Sequence, residues 1–169
     1  FASPDQVKIA ASFIHKMKDK NPLLYVLVDP VLGDDGSLYV SNEVATAIRD
    51  ELLPLASCIT PNCFELGWLT GKTVSSKAEF LRAAATLPHK EILATSIPVG
   101  PGNLATLAIT GSDSAETSST VKVEVPHGTG DFLAGLYLAH RLAAGPQAAL
   151  RRSIATLDRA IAISAGSTV

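Results

Sequence analysis

The segment Leu23–Val28 is apolar throughout and stops at Asp29-Pro30. An apolar run without polar alternation is typical of a strand that is covered on both faces of a parallel sheet. Ala56–Ile59 and Glu91–Thr95 are further segments of this kind. Because parallel strands are joined by long crossover connections, most often helices, these segments constrain the fold more than any other feature of the chain.

Helical patterns lie around and between these strand segments. Ser3 fits a helix N-cap, Pro4 the first helical position and Gln6 the reciprocal position of a capping box. The following helix is predicted to end near Lys20 and to bury the stripe Val7, Ala10, Phe13, Ile14 and Met17. Further helices are predicted over residues 41–53, 62–69, 76–87, 129–143 and 146–165. The alternation predicts an α/β fold, with a doubly wound, mostly parallel sheet and helices on both faces.

The region after residue 103 carries less regular patterns. Leu104–Thr110 predicts a strand that ends in a turn at Gly111-Ser112-Asp113. Residues 111–119 are small and polar, which predicts a mobile loop. Apolar and charged residues alternate over residues 120–125, which predicts a half-solvated strand.

Composition limits the classes of function. A chain of 169 residues that is 47% hydrophobic has the length of one domain, residues 1–169, and enough apolar material for a core. A net charge of -2, with 18% charged residues, argues against nucleic acid or an anionic membrane surface as the main partner. No apolar run approaches the roughly 20 residues of a membrane span.

The cysteines and the first residues bear on the cellular compartment. The two cysteines, Cys58 and Cys63, have the spacing of neither a disulfide framework nor a zinc site. The chain starts at Phe1 without a basic and apolar leader. We therefore expect a cytoplasmic protein whose upstream part is missing from this sequence.

A glycine loop stands immediately before the helix predicted at residue 129. Gly128 and Gly130 flank Thr129, so successive backbone N–H groups can turn toward one point, where the helix dipole adds positive potential. This pattern predicts an anion site. Asp131 follows in the first helical turn, where it is predicted to take a proton from an attacking hydroxyl.

These residues also fit an ordinary turn, in which Thr129 caps the helix and Asp131 only complements the dipole. Two other phosphate motifs are excluded. A dinucleotide-binding fingerprint needs a third glycine where Leu133 stands. A Walker A loop ending in Gly71-Lys72-Thr73 needs an earlier glycine where Leu66 stands, and Gly71 is predicted instead to end a helix.

Polar side chains follow each predicted buried strand. Asp29 ends the first strand, Thr60 and Asn62 follow the second with Glu65 one helical turn later, and Thr95-Ser96 ends the third. Ligands of doubly wound sheets bind beyond the carboxyl ends of the strands, so we expect these side chains to converge. Their oxygens suit hard cations and phosphates. Asn62 and Glu65 also fit a plain helix-capping pair, which is the alternative explanation for them.

Four blocks of the chain, Asp29–Val40, Ile59–Gly71, Ala94–Ser96 and Gly128–Asp131, closely resemble pyridoxal kinases of the ribokinase-like superfamily in order and spacing. The resemblance covers nearly the whole chain. It implies a ribokinase-like fold that lacks its N-terminal part. It also implies ATP-dependent phosphorylation of the 5′-hydroxymethyl group of pyridoxal, pyridoxine or pyridoxamine, which would form pyridoxal 5′-phosphate from pyridoxal.

The resemblance also implies roles for individual residues. Asp131 matches the catalytic base. The other matching positions are Gly128, Thr129 and Gly130 for the anion hole that holds the transferring phosphate; Asp29, Thr60, Glu65 and Thr95 for a monovalent cation, K⁺ or Na⁺; Asp34 and Glu65 for Mg²⁺; and Asn62, Thr95, Ser96 and Tyr39 for the nucleotide. A homodimer is implied for the full-length protein, and the role of His127 is left open.

Three alternatives remain at this point. A hydroxymethylpyrimidine kinase of the same superfamily shares the Asp-Pro-Val and Thr-Pro-Asn blocks, although such enzymes commonly place cysteine near the second glycine of the anion hole, where this chain has Thr129-Gly130-Asp131. A non-catalytic nucleotide- or vitamin-binding fragment would keep the fold without turnover. A structural α/β module would carry capping residues that only imitate a site.

Overall fold

The computed structural model of this chain describes residues 1–120 and 127–166. The helices within these ranges are α1 (Pro4–Lys20), α2 (Asn42–Ala47), α3 (Cys63–Thr70), α4 (Lys77–Ala84), α5 (Thr129–Arg141) and α6 (Pro146–Gly166). The strands are β1 (Leu27–Val28), β2 (Gly33–Asp34), β3 (Ser37–Leu38), β4 (Cys58–Ile59), β5 (Glu91–Gly100), β6 (Asn103–Thr110) and β7 (Asp113–Thr120).

The main sheet has the strand order β1-β4-β5-β6-β7, and β2 and β3 form a separate hairpin. β1, β4 and β5 are parallel, whereas β6 and β7 join the sheet antiparallel. The predicted α/β class is confirmed, in a mixed sheet that combines short parallel strands with a long antiparallel meander. Because the three parallel strands share one direction, the residues that follow β1 and β4 emerge at the same end of the sheet.

Helices cover both faces of this sheet, as predicted. Cys58, Leu93 and Ala108 are buried on one face in a core that includes residues of α5 and α6. Ile59 and Ile92, their neighbours along β4 and β5, are buried on the other face in a core that includes residues of α1 to α4. Successive side chains of a strand point to opposite faces, so each parallel strand contributes to both cores.

The helix-terminus signals of the sequence are largely confirmed. The Ser3 side chain accepts a hydrogen bond from the backbone N–H of Gln6 at the start of α1. Gly71 ends α3 with φ +66°, the left-handed conformation that favours glycine. The tripeptide that resembled the end of a Walker A loop is thus a helix C-terminus.

The predicted polar loop over residues 111–119 is wrong. Asp113–Thr120 is strand β7, which pairs with β6 from Thr110 opposite Asp113 to Asn103 opposite Thr120. Gly111, with φ +61°, stands in the tight connection between the two strands. Serine and threonine are tolerated because the side chains of residues 113–118 are exposed or half-buried. Except for residue 120, the half-solvated strand predicted over residues 120–125 lies outside the described residues.

The first apolar segment forms less strand than predicted. Only Leu27 and Val28 pair with β4, and Leu23 is 91% exposed. Asn21 accepts hydrogen bonds from the backbone N–H groups of Leu23 and Leu24, so the first half of the segment is a turn. β4 is also shorter than predicted, whereas β5 continues to Gly100.

Two helix predictions also need correction. The helix predicted over residues 41–53 is α2 followed by a π-helical turn, Ile48–Leu52, and a 3₁₀ turn, Leu53–Leu55, where Pro54 has no N–H to donate. In α1, Phe13 and Met17 are exposed and Ala11 is buried. Apolar residues occur on two faces of this helix, and packing against α2 and the turns that follow it buries one of them. No helix in the described residues is long and apolar enough to cross a bilayer.

Candidate active site

An open pocket of about 340 Å³ lies where the parallel strands end and α5 begins. It is lined by Asp29 after β1, by Thr60 and Asn62 after β4, and by Thr95 and Ser96 of β5, together with Gly128, Gly130 and Asp131 at the start of α5. The convergence predicted for the strand-end side chains is therefore present. It arises because parallel strands bring residues distant in sequence to one edge.

Thr95 and Ser96 reach the pocket through an irregularity in β5. The pairing register between β5 and β6 shifts between Ala94 and Ile97, and Ser96 has φ +53°. The backbone N–H of Thr95 donates to the carbonyl oxygen of Pro61, which ties this bulge to the segment after β4. A bulge redirects side chains, so β5 presents polar groups to the pocket without ending there.

The glycine loop forms the start of α5. Gly128 is the N-cap with φ +83°, a conformation that glycine adopts without steric cost. Asp131 lies in the first turn. The first backbone N–H groups of an α-helix have no partner within the helix, and the helix dipole is positive at this end. The pocket thus combines a helix N-terminus suited to an anion with an exposed carboxylate beside it.

Asp29 and Asp131 are close enough to interact electrostatically. Burial and, more weakly, the negative charge of Asp131 raise the pKa of Asp29 above its ordinary value, whereas the hydrogen bond from Thr60 lowers it. The Thr60 hydroxyl donates to Oδ1 of Asp29 over 2.7 Å. Two carboxylates that face one pocket repel each other, and a bound cation would relieve this repulsion.

Glu65 is a buried carboxylate whose oxygens both accept backbone hydrogen bonds. Oε1 accepts the N–H of Leu32 over 2.7 Å, and Oε2 accepts the N–H of Asn62 over 2.9 Å. Burial raises the pKa of Glu65 to about 7, against the opposing effect of these N–H donors, and the charge of Asp29 adds to the increase. Glu65 therefore connects the loop after β1 to the N-terminus of α3.

Asn62 completes this connection. Its side-chain oxygen accepts the N–H of Glu65, so Asn62 and Glu65 form the reciprocal capping box of α3. Its amide nitrogen donates to the carbonyl oxygen of Gly33 over 2.9 Å. Asn62 and Glu65 therefore do cap the helix, as the alternative explanation stated, and the same two residues also line the pocket.

The β2–β3 hairpin forms one wall of the pocket. Asp34 precedes a tight turn at Asp35-Gly36, in which both residues have positive φ, and Tyr39 follows β3 with its ring largely exposed. At Gly33 a side chain would collide with the carbonyl oxygen of Ser37 and with Phe64. Glycine is therefore required for the hairpin to pack against α3.

Every site residue predicted from the sequence lines this pocket except Thr129. It lines an adjoining pocket of about 190 Å³ between the start of α5 and α6, together with His127 and Phe132. In contrast, Val31 and Gly33 line the main pocket and were not singled out by the sequence. The sequence feature that could have indicated them is their position inside the Asp29–Val40 block, which resembles pyridoxal kinases.

Residues 3–168 match the family described as phosphomethylpyrimidine kinase, and the chain belongs to this family. Among curated relatives, the chain is 34% identical to the pyridoxine/pyridoxal/pyridoxamine kinase of Bordetella avium over 164 residues, which cover 93% of this chain and 54% of that protein. The chain thus spans about half the length of the curated relative it matches.

Solved structures of pyridoxal kinases also superpose on this chain. Pyridoxal kinase from Entamoeba histolytica superposes with a TM-score of 0.86 at 31% identity, covering 94% of this chain and 59% of that one. Pyridoxal kinase from Leishmania donovani in complex with ADP and pyridoxine superposes with a TM-score of 0.85 at 25% identity, covering 98% and 59%. The predicted ribokinase-like fold and the resemblance to pyridoxal kinases are confirmed.

Proposed function

We propose that the protein to which this chain belongs is an ATP-dependent kinase that phosphorylates the 5′-hydroxymethyl group of pyridoxal, pyridoxine or pyridoxamine. The observation that carries this proposal is the placement of Asp131, beside a glycine-initiated helix N-terminus, in one pocket with the carboxylates and hydroxyls of three parallel strands. The names of the similar kinases support the same activity.

Asp131 is the proposed general base. It takes the proton of the substrate hydroxyl while the hydroxyl oxygen bonds to the γ-phosphorus of ATP and the bond from that phosphorus to the bridging oxygen of ADP breaks. Gly128, Thr129 and Gly130 form the proposed anion hole. The backbone N–H groups of Thr129 and Gly130, which follow the N-cap Gly128, bind the transferring phosphate. Phosphoryl transfer requires mainly positioning and charge neutralisation, which backbone N–H groups supply without rearrangement.

The remaining polar residues divide into proposed nucleotide and cation contacts. Asn62, Thr95, Ser96 and the exposed ring of Tyr39 would contact the nucleotide, and Thr129 would do so from the adjoining pocket. Mg²⁺ would neutralise phosphate charge. Protein Mg²⁺ sites use one or two carboxylates with waters and phosphates, and Asp34, with Glu65 acting through water, fits that pattern in the lining of the pocket. Among the described residues, no group of three or more His, Cys, Asp or Glu side chains forms a preformed metal site.

A monovalent cation, K⁺ or Na⁺, is proposed near Asp29, Thr60 and Thr95, where Thr60 is buried and the raised pKa of the half-buried Asp29 carboxylate favours added positive charge. Glu65 has both oxygens engaged by backbone N–H groups, so we assign to it the positioning of this region, with any contact to a cation made through water. A single domain over residues 1–169, a homodimer of the full-length protein and a cytoplasmic location complete the proposal.

The test is a coupled assay of ADP formation with the full-length gene product, ATP and Mg²⁺, and with pyridoxal, pyridoxine or hydroxymethylpyrimidine as acceptor. We expect acceptor-dependent ADP formation that is fastest with a vitamin B6 alcohol. A preference for hydroxymethylpyrimidine would instead agree with the name of the matching family. If ATP and Mg²⁺ raise the melting temperature but no acceptor is phosphorylated, the protein is a binding protein and the proposal is wrong.

A further inference from the structure

Val31 has a backbone conformation that β-branched residues rarely adopt. Its φ is +46°, and the other non-glycine residues with positive φ in residues 1–120 and 127–166 are Asp35 and Ser96. Aspartate tolerates this region in tight turns, whereas a β-branched side chain there is strained. Strained residues persist only where their surroundings fix them, and they concentrate at functional sites.

Two backbone hydrogen bonds hold Leu32, the residue that directly follows Val31. The backbone N–H of Leu32 donates to the buried carboxylate of Glu65, and the carbonyl oxygen of Leu32 accepts the N–H of Tyr39 over 2.8 Å. The Leu32 side chain is fully buried in the core. The strained residue therefore directly precedes a residue that is held in place by both its backbone groups and its side chain.

The consequence is that an aliphatic side chain faces the pocket. Val31 is 47% exposed, although Pro30 and Leu32 on either side of it are buried. Among the described residues that line the pocket, Val31 carries the only aliphatic side chain, and the others are polar, aromatic or glycine. Valine offers no donor, acceptor or charge to a phosphate or a cation, so its presence among these groups requires another explanation.

We propose that Val31 is a positioning residue that excludes water from the γ-phosphate of ATP at Asp131. This inference rests on the proposed kinase function. A base that activates an alcohol can also activate water, in which case the water oxygen bonds to the γ-phosphorus, the bond to ADP breaks, and ADP and inorganic phosphate leave while Asp131 takes the proton. An aliphatic group at the wall of the pocket removes a site where that water could be held by hydrogen bonds.

Two substitutions separate this role from a structural one. V31G removes the side chain and accepts a positive φ, and V31N keeps similar bulk, tolerates this conformation and adds hydrogen-bonding groups. V31I keeps an aliphatic side chain and serves as the conservative variant. D35G is the matched control. Asp35 also has a positive φ, but unlike Val31 it does not line the pocket.

The experiment measures ADP and phosphorylated product in the full-length gene product, with and without acceptor, together with the melting temperature. We expect V31G and V31N to keep or raise the melting temperature and to increase ATP hydrolysis without acceptor by roughly three- to tenfold. ADP should exceed product in both variants and match it in V31I, D35G and the unmodified protein.

Equal amounts of ADP and product in V31G and V31N would overturn the role of Val31 while leaving the kinase proposal intact. A parallel loss of hydrolysis, transfer and melting temperature in both variants would show a structural role and would overturn it as well. An unmodified protein that phosphorylates no alcohol would overturn the proposed function and this inference together.

Discussion

The backbone N–H of Leu32 donates to Oε1 of Glu65 across 2.7 Å, although the two residues are 33 positions apart. With the bond from Asn62 to Oε2, it makes one buried carboxylate the link between the loop after β1 and the start of α3. Both segments contribute residues to the candidate site, so its geometry depends on this side chain.

Glu65→Gln is expected to destabilise the protein. The amide nitrogen of glutamine cannot accept a hydrogen bond, so one of the two backbone N–H groups loses its partner in a buried position, at a cost of about 1–3 kcal/mol. Urea denaturation measures the change. Glu79→Gln is the matched control, because Glu79 also accepts a backbone N–H near a helix start, but that hydrogen bond is exposed. Equal losses of stability in the two variants would contradict the role of Glu65.

The stability of the protein is expected to depend on pH through Glu65. Its pKa is raised from 4.5 to about 7 in the folded protein, so the folded state holds this proton more tightly than the unfolded state does. This contribution is fully present below pH 4.5 and is lost as the pH rises through about 7. Urea denaturation at intervals across this range should show the fall in the unmodified protein. A fall of the same size in Glu65→Gln would rule out Glu65 as its source.

Gly130→Ala is expected to affect stability and nucleotide binding in opposite directions. A Cβ at this position meets no atom within 4 Å, its φ is not positive, and the residue lies in the first turn of α5. Alanine should therefore stabilise the unliganded protein, by up to about 1 kcal/mol from helix propensity. The same methyl group would obstruct a phosphate approaching the helix N-terminus, so the increase in melting temperature produced by ATP and Mg²⁺ should shrink. An undiminished increase would place the phosphates elsewhere.

Arg141→Met is expected to lower stability more than Arg49→Met. Arg141 donates to Glu91, which is 4% exposed and also accepts from the Tyr137 hydroxyl over 2.6 Å. Removing one partner of a largely buried ion pair costs about 3 kcal/mol or more, whereas an exposed pair contributes about 0–1 kcal/mol. Arg49 is a close control because it pairs with exposed Asp50 and, like Arg141, stacks on an aromatic ring. Similar changes in the free energy of unfolding would show that Glu91 is solvated.

Asp131→Asn is expected to lower kcat by roughly 10²- to 10⁴-fold while nucleotide binding persists, because asparagine cannot take the proton of the hydroxyl. Steady-state kinetics on the full-length gene product, with nucleotide affinity measured separately, test this. An unchanged kcat would remove Asp131 from the mechanism.

The candidate site was largely predictable because its residues stand at positions that local sequence marks. Asp29 and Thr60 each follow a buried strand, and Gly128 directly precedes α5, so the sequence places them near strand ends and a helix start. Val31 was not predictable in this way, because no local signal marks a valine for positive φ, and its neighbour Leu32 is held by Glu65, 33 positions away. Thr129 was placed in the main pocket by the sequence but lines the adjoining one.

The sequence by itself determined the helix N-termini, the alternation of strands and helices, and the polar residues at the strand ends, because each depends on neighbours within a few positions. Tertiary structure decided that Asp113–Thr120 is a strand and that Phe13 rather than Ala11 is exposed on α1. It also decided that the buried carboxylate of Glu65 joins the loop after β1 to the start of α3. These outcomes depend on contacts between segments distant in sequence, where pairing with β6 or packing against α2 outweighs local preference.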